Sequence, residues 1–368
     1  MEDTSSGNGP VLPEKDSFTS SHTSNFPALL NQLGISLLVS TYQAGRLIIV
    51  RAQGDSLNTH FRSFYSPMGV AYQPHTGRLA IGAKHEVWEF RNQPDVASKL
   101  EPKGTHDAAF LPRTTHHSGD IRIHEIAWID DELWAVNTRF SCLCTFDKDN
   151  SFVPRWRPPF VTALTPEDRC HLNGMAVING KIKYVTCLGA TDTRGGWREN
   201  KRSGGRLLDV ESGETILHGL SMPHSPREYG GRHWILESGI GAVSVADLKK
   251  GKTDVVTKLP GFTRGFDFYG NLAFIGLSQV RETAVFSGIP LVDEIKERTC
   301  GVWVVDIRSG KTVAFLRFEG IVQEIFAVQV LPGIRHPDLI NEPGETLDSS
   351  FVLPDEALRD VPRELRAT

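Results

Sequence analysis

The chain has 368 residues, of which 39% are hydrophobic and 23% charged, and its formal net charge is −4. This balance gives no electrostatic case for binding nucleic acid or an anionic membrane. No run of about 18 apolar residues occurs, so no membrane-spanning helix is expected. The five cysteines form no CxxC pair. They are interpreted as reduced thiols, which predicts a cytoplasmic protein.

The two ends of the chain differ from its middle in composition. Residues 1–24 are rich in Ser, Thr, Gly and Pro and have almost nothing to bury, so we predict that they are disordered. A short helix is predicted at Phe26–Leu33. Periodicity is lost again near the other end, and residues 338–368 are predicted to be a tail that packs on the surface.

Between these ends, short segments rich in β-branched and aromatic residues recur, separated by glycine-containing turns. The repeated unit has a first strand of the type x-G-V-A-Y, a second strand and a hairpin. First strands are predicted at residues 68–72, 124–128, 173–177, 264–268 and 324–328. Second strands are predicted at residues 37–41, 78–83, 133–138, 183–187, 233–238 and 272–277.

The count of these strands predicts how the fold closes. The second strand at 37–41 has no first strand before it, and the first strand at 324–328 has no second strand after it. We therefore predict that the two chain ends meet in one blade. Radial repetition of this kind leaves no unpaired sheet edge at the closure. The predicted fold is all-β, a six-bladed β-propeller over residues 25–337 with N- and C-terminal strands closing one blade.

The first strands of a propeller line its central channel, so equivalent positions form a ring. Spacings of 12 to 14 residues between first and second strands set the register. Blade five lacks the first-strand pattern, and His224 is placed there because it precedes Glu237 by 13 residues. The predicted ring is Met68, His124, Asn173, His224, Arg264 and Glu324. By strand alternation, His171 points to the same side as Asn173. The second strands predict a further ring, which consists of Ser40, Gly82, Asn137, Thr186, Glu237 and Gly276.

Imidazoles together with a carboxylate are a common ligand set for a divalent transition metal. The sequence therefore predicts Zn, Mn or Fe at one channel mouth, and no nucleotide cofactor. The predicted metal ligands are His124, His171, His224 and Glu324.

Other polar residues are candidates for catalysis and substrate binding. Glu237 is predicted to be a general base or to support the metal ligands, and Arg264 to clamp a substrate carboxylate. Arg227 is a further catalytic candidate. The predicted substrate-binding residues are Asn173, Arg264, His106 and Arg113.

Simpler interpretations of the same residues stay open. Single histidines often cap strands, and a polar channel can simply hold ordered water. Arg264 and Glu324 lie in adjacent blades and can pair with each other. The stretches 106–125 and 190–205 are each either a loop over the channel mouth or a loop with no such role. The stretch 281–300 is a third insertion, in which a short helix is predicted.

The chain resembles an uncharacterised bacterial family, DUF4915, through LLVSTYQAGRLIIV, HDAAFLPR, HEIAW, HLNGMAV, MPHSPR and TRGFDF. More remotely, HLNGMAV and RGFDF resemble motifs of gluconolactonase- and strictosidine-synthase-like propellers. That resemblance implies a channel metal held by a carboxylate and an Asn, which correspond to Glu324 and Asn173. The chain departs from the pattern by offering His124 and His224, and by placing Arg264 in blade six, so a transition metal is favoured.

The predicted function is that of a metal-dependent enzyme at the channel mouth. Its substrate is expected to be small or peptide-borne, with a carboxylate or carbonyl. Hydrolysis, elimination, rearrangement and oxidation are all open, and natural-product biosynthesis is one setting that the resemblance implies. The alternative is a non-catalytic propeller that binds a protein or a ligand. No nucleic acid or membrane partner is expected, and the protein is predicted to be a monomer or a homodimer.

Overall fold

Alternating apolar residues and frequent turns produce short antiparallel strands along most of the chain. The computed structural model describes residues 18–280 and 287–366. Its strands, in chain order, are β1 Ser20–His22, β2 Ile35–Thr41, β3 Arg46–Gln53, β4 Ser56–Ser63, β5 Val70–Gln73, β6 Arg78–Gly82, β7 Glu86–Asn92, β8 Ala108–His117, β9 Ile123–Ile129, β10 Glu132–Asn137, β11 Cys142–Thr145, β12 Val153–Trp156, β13 Leu172–Ile178, β14 Lys181–Cys187, β15 Gly205–Asp209, β16 Thr215–Leu220, β17 Pro223–Tyr229, β18 Arg232–Glu237, β19 Ala242–Asp247, β20 Lys252–Lys258, β21 Phe262–Tyr269, β22 Leu272–Ser278, β23 Cys300–Asp306, β24 Thr312–Phe318, β25 Ala327–Pro332 and β26 Pro337–Leu339.

Helices are few and short. The α-helices are α1 Phe26–Leu33, α2 Pro94–Ala97, α3 Pro290–Glu294, α4 Glu345–Asp348 and α5 Asp355–Leu358. Single 3-10 turns lie at Gly196–Asn200, Ser238–Ile240 and Arg363–Leu365. Helix α1 has the predicted bounds, and it ends at Gly34, whose φ of 67° is favourable for glycine.

The strands form six small sheets in a ring, so the predicted six-bladed β-propeller is confirmed. From the channel outwards, the sheets are β25-β2-β3-β4 (blade one), β5-β6-β7-β8-β26 (two), β9-β10-β11-β12 (three), β13-β14-β15-β16 (four), β17-β18-β19-β20 (five) and β21-β22-β23-β24-β1 (six). Apolar clusters pack the faces of neighbouring blades together.

Blade one is closed by the two ends of the chain, as predicted. Strand β25 pairs antiparallel with β2, in a register that sets Ser40 opposite Ala327 and Leu37 opposite Val330. The inner strand begins at Ala327, three residues later than the start predicted for it at Glu324. Residues Glu324 and Phe326 instead line one end of the channel.

A hydroxyl group at the end of a second strand joins one blade to the next. The Ser40 hydroxyl of blade one donates to the main-chain oxygen of Met68, at the start of blade two, at 2.5 Å. The equivalent bonds run from Thr138 to Leu172 (2.6 Å), from Ser238 to Thr263 (2.5 Å) and from Ser278 to Ile325 (2.9 Å). These bonds, termed the inter-blade clasps, give buried carbonyl groups a partner outside their own sheet.

The other two blade junctions, between blades four and five and between blades two and three, are joined by different contacts. In blade four, the Thr186 hydroxyl donates to Asn173 Oδ1 at 2.7 Å, and Asn173 Nδ2 donates to the Pro223 carbonyl at 2.9 Å. Blade two has Gly82 at this position, and a Cβ there would lie 2.8 Å from Cγ2 of Ile123 in blade three. Direct contact between the two blades therefore replaces the clasp.

Short strands at both ends of the chain cover outer sheet edges. Strand β1 pairs with β24 of blade six, so the prediction of disorder over residues 1–24 is wrong for Ser20–His22; residues 1–17 lie outside the described residues. The physical reason is that β24 offers an unpaired edge, which main-chain bonds from even a polar segment can satisfy. Strand β26 runs parallel to β8 on blade two, and the tail beyond Ile340 is largely exposed.

None of the helices in the described part of the chain has both the length and the apolar character needed to cross a membrane.

Truncation tests the closure of the ring. A chain that ends at Gly320 lacks β25 and β26, so β2 loses its inner neighbour and we expect no cooperative unfolding transition. A control chain that ends at Asn341 keeps both strands and should unfold cooperatively. Circular dichroism during urea titration distinguishes the two. A Gly320 truncation that is soluble and unfolds cooperatively would contradict the closure.

Candidate functional site

One end of the channel opens into a cavity of about 300 Å³. It is termed the histidine pocket, and its lining consists of Tyr42, Met68, Arg122, His124, His171, Leu188, Trp197, Arg198, Met222, His224, Phe262, Arg264, Glu324 and Phe326. Five of the six predicted ring positions are among these residues, together with His171. The predicted register therefore brings His124, His171 and His224 together in one pocket.

An inter-blade clasp sets the tautomer of His124. Its Nδ1 lies 2.7 Å from the Thr138 hydroxyl, which donates its own proton to the Leu172 carbonyl. A hydroxyl has only one proton, so Nδ1 must be the donor to Thr138. Nε2 therefore carries the lone pair and accepts from Nη2 of Arg264 at 2.9 Å. Burial, with His171 and Arg264 nearby, holds the pKa of His124 well below its ordinary value.

His224 repeats this arrangement two blades further on. Its Nδ1 lies 2.9 Å from the Ser238 hydroxyl, which donates to the Thr263 carbonyl, and 3.0 Å from the Met222 carbonyl. Nδ1 is again the donor, so Nε2 carries the lone pair. No residue in the described part of the chain bonds to that Nε2. Burial, reinforced by the charge of Arg264, holds the pKa of His224 well below its ordinary value.

A buried carboxylate orients the third histidine. His171 Nδ1 lies 2.9 Å from Asp168 Oδ1, and the imidazole packs against the Trp197 ring with centroids 4.5 Å apart. Arg122 and Arg198 each approach the other carboxylate oxygen, at 3.3 and 3.4 Å. Burial raises the pKa of Asp168, but His171, Arg198 and Arg122 together outweigh it, so that the pKa is lowered.

Arg264 lies among aromatic and imidazole rings. Its guanidinium carbon is 3.7 Å from the centroid of the Phe326 ring, and its Nε is buried with no hydrogen-bond partner among the described residues. Burial lowers the pKa of Arg264 to about 10, against the opposing effects of Glu324 and Tyr42, so it stays charged at neutral pH. The ion pairs of the described residues do not include Arg264 with Glu324, and Arg264 bonds to His124 instead.

Two predicted site residues lie inside the blades. Asn173 completes the junction between blades four and five, so it does not line the histidine pocket. Glu237 accepts from Ser244 at 3.0 Å and from Thr253 at 2.8 Å, on the next two strands of blade five. The reason is strand alternation: the following residue, Ser238, is the one that contacts His224, so Glu237 points elsewhere.

Three further candidates lie away from the histidine pocket. Arg227 pairs with Glu125 and lines a cavity of about 440 Å³ at the other end of the channel. His106 packs against the His336 ring at 5.3 Å, and Arg113 is exposed on β8. Most of the stretch 106–125 is therefore not a lid but forms strands, because its apolar residues complete blade two.

The stretches 190–205 and 281–300 were the other two predicted insertions. The stretch 190–205 does reach the pocket, since a 3-10 turn at Gly196–Asn200 presents Trp197 and Arg198 to it. In the stretch 281–300, the predicted short helix is Pro290–Glu294, and residues 281–286 lie outside the described residues.

The predicted metal ligands share one pocket but do not fit a metal ion in this arrangement. Within residues 18–280 and 287–366, no group of three or more His, Cys, Asp or Glu side chains could hold one. Both ring nitrogens of His124 are engaged, and Nδ1 of His171 faces Asp168. The Arg264 guanidinium beside His124 would also repel a cation.

Sequence reasoning missed Arg122 and Asp168, and it gave Trp197 and Arg198 only as part of the stretch 190–205, which was open to a place at the channel mouth or to no such role. Arg122 precedes His124 by two residues, so strand alternation could have placed it on the same side. Asp168 precedes His171 by three residues in a turn, a spacing that carries no such signal. Trp197 and Arg198 belong to an insertion whose path the repeat does not determine.

Comparisons with known proteins identify a family and a fold. Residues 24–340 match the family model described as a domain of unknown function, DUF4915. A comparison with curated proteins finds no match. Among solved structures 518 chains match, including one from a crystal structure of a nidogen/laminin complex. That chain is 8% identical at a TM-score of 0.52, over 81% of this chain and 99% of that one. At this identity the likeness shows the fold alone.

Acid titration tests the burial of neutral His224. Because the pKa of His224 is lowered on folding, the unfolded chain binds more protons below about pH 6.5, and stability falls as the pH falls. In His224→Gln, the loss of unfolding free energy between pH 7.5 and 5.5 should be smaller than in wild type by roughly 1 kcal/mol. Urea titrations measure it. The exposed control His218→Gln should match wild type. An equal loss in His224→Gln and wild type would contradict the assignment.

Proposed function

The chain belongs to the DUF4915 family, and we propose that it is an enzyme that binds a small carboxylate in the histidine pocket and moves a proton on it. In this proposal Arg264 holds the carboxylate, and His224 and His171 transfer the proton. One observation carries it: the same pocket contains unpartnered hydrogen-bond donors and an imidazole nitrogen to which no described residue hydrogen-bonds.

The unpartnered donors support an anionic ligand. Arg264 Nε and Trp197 Nε1 are both buried without a partner among the described residues, and both side chains line the pocket. Leaving a buried donor unpaired costs about 1–3 kcal/mol. Neither atom can accept a hydrogen bond, so a ligand that satisfies them must supply acceptors. A carboxylate does so, and it also matches the planar guanidinium of Arg264.

The histidines support proton transfer. His224 presents an Nε2 lone pair that is fixed by the Ser238 clasp. His171 is oriented through Nδ1 by Asp168, the arrangement in which a carboxylate positions a catalytic imidazole. A positioned acid or base of this kind typically contributes a rate factor of about 10² to 10⁴.

Ligand charge also improves the base. Burial and Arg264 lower the pKa of His224, which weakens it as a base in the free protein. A carboxylate bound at Arg264 offsets that positive charge and raises the pKa of the imidazole toward its ordinary value. His224 therefore becomes a stronger base when the ligand is present. The proposal needs no metal ion, unlike the enzyme predicted from the sequence.

Deuterium exchange into 2-oxobutyrate tests the proposal. This probe joins a carboxylate to a carbonyl, so a base can remove a C3 proton to give an enolate, and solvent returns a deuteron. In D₂O, we expect the protein to bind the probe and to erase its C3 proton signal in NMR spectra. Arg264→Met should weaken binding about 10- to 100-fold, in line with a lost charge-assisted bond. His224→Gln or His171→Gln should slow exchange at saturating probe by about 100-fold.

Two controls complete the experiment. His218→Gln changes an exposed histidine outside the pocket and should behave as wild type. Dialysis against EDTA should leave binding and exchange unaltered. Loss of exchange on dialysis would favour the metal-dependent enzyme predicted from the sequence. Binding without exchange would favour the alternative, a non-catalytic ligand-binding propeller. Absence of binding by wild-type protein would overturn the proposal.

A further inference from the structure

We infer that the histidine pocket takes a small dianion, with its second acidic group held at the rim by Arg122 and Arg198. This inference rests on the proposed function, which assigns the first acidic group to Arg264. It adds a second binding site for charge, built from two different blades, and so narrows the ligand to molecules such as aliphatic dicarboxylates.

The two rim arginines share a single carboxylate. Nη1 of Arg122 and Nη2 of Arg198 lie 3.3 and 3.4 Å from the same atom, Asp168 Oδ2, and Nδ1 of His171 lies 2.9 Å from Oδ1 and 3.1 Å from Oδ2. In the described residues, neither guanidinium forms an ion pair with any other carboxylate. One negative charge therefore faces two guanidinium charges, and a net positive charge is left at the rim.

Residues in the described part of the chain use only a small share of the hydrogen-bonding capacity of this pair. A guanidinium has five N–H donors. Both side chains are 41% exposed, although both line the pocket. Like charges held close together repel each other, so an anion that binds between them is favoured. Two converging guanidinium groups match the oxygen atoms of a carboxylate or a phosphate.

The side chain of Arg198 is also held in position before any ligand binds. The guanidinium of Arg198 lies 4.3 Å from the centroid of the Trp197 ring, a cation–π contact. Trp197 is only 2% exposed and packs on His171. Little side-chain freedom then has to be lost on binding, which favours affinity.

The inner and outer cations are separated by two histidines. Arg264 bonds to His124 Nε2, and the centroids of the His124 and His171 rings are 4.8 Å apart. His171 in turn contacts Asp168, the carboxylate that the two rim arginines share. Because two imidazole rings lie between the two sets, we assign one acidic group to each set. A cavity of about 300 Å³ is at the lower end of the range for ligand pockets. A short chain with an acidic group at each end satisfies both conditions.

Matched pairs of acids test the inference by isothermal titration calorimetry at pH 7.5. The probes are succinate, glutarate and adipate, compared with butyrate, pentanoate and hexanoate of equal carbon number. We expect at least one dicarboxylate to bind wild type about tenfold more tightly than its partner. In the double variant Arg122→Gln/Arg198→Gln, the preference for the dicarboxylate should fall below twofold. The single variant Arg122→Gln, which leaves Asp168 a cationic partner, should show an intermediate preference even if the double variant unfolds.

The outcomes separate the inference from the proposed function. Arg232→Gln, an exposed change outside the pocket, should keep the full preference. If wild type binds each dicarboxylate and its monocarboxylate partner equally well, and Arg264→Met loses this binding, the inference of a dianionic ligand is overturned. The proposed function would then still stand. A preference that survives in the arginine variants would also overturn the inference. No binding of either acid would overturn both.

Discussion

Hydroxyl groups at the ends of second strands bond to main-chain carbonyls of the next blade, and the ring depends on these bonds. Blade faces are apolar, so a carbonyl buried between them has no water to bond and needs a protein donor. A serine or threonine hydroxyl supplies that donor in little space. It also keeps lone pairs free, which allows it to accept a bond while it donates one.

In blades three and five, the spare acceptor receives the Nδ1 proton of a channel histidine. The bonds that join the blades therefore also fix His124 and His224 as neutral imidazoles with Nε2 as the lone-pair atom. Arg264 donates to one of these lone pairs, and no described residue bonds to the other. Fold and site share the same atoms, so neither hydroxyl can be removed without loosening a blade junction. The pocket that results combines fixed neutral bases with an excess of guanidinium charge.

The sequence predicted the closure of the ring and six of the residues that line the pocket, because both follow largely from the repeat. His124, His224 and Arg264 occupy equivalent places in blades three, five and six, so strand spacing aligned them. Prediction from the sequence failed where the direction of a side chain depends on a register shift of one residue. Glu237 is the example, because it points into its own blade. Prediction failed also for His106, whose stretch leads into strand β8 and not a lid. Asp168 and Trp197 lie outside the repeated unit, so only the folded chain brings them to His171.

The protonation pattern of the imidazoles tests the account most directly. Long-range ¹H–¹⁵N NMR spectra of protein labelled at histidine report which ring nitrogen carries the proton, and His124→Gln and His224→Gln assign the signals. At pH 7.5, the account predicts that both residues are neutral, with the proton on Nδ1 and none on Nε2. A proton on Nε2 in either residue, or an imidazolium, would contradict the claim that the inter-blade clasps set the chemistry of the pocket.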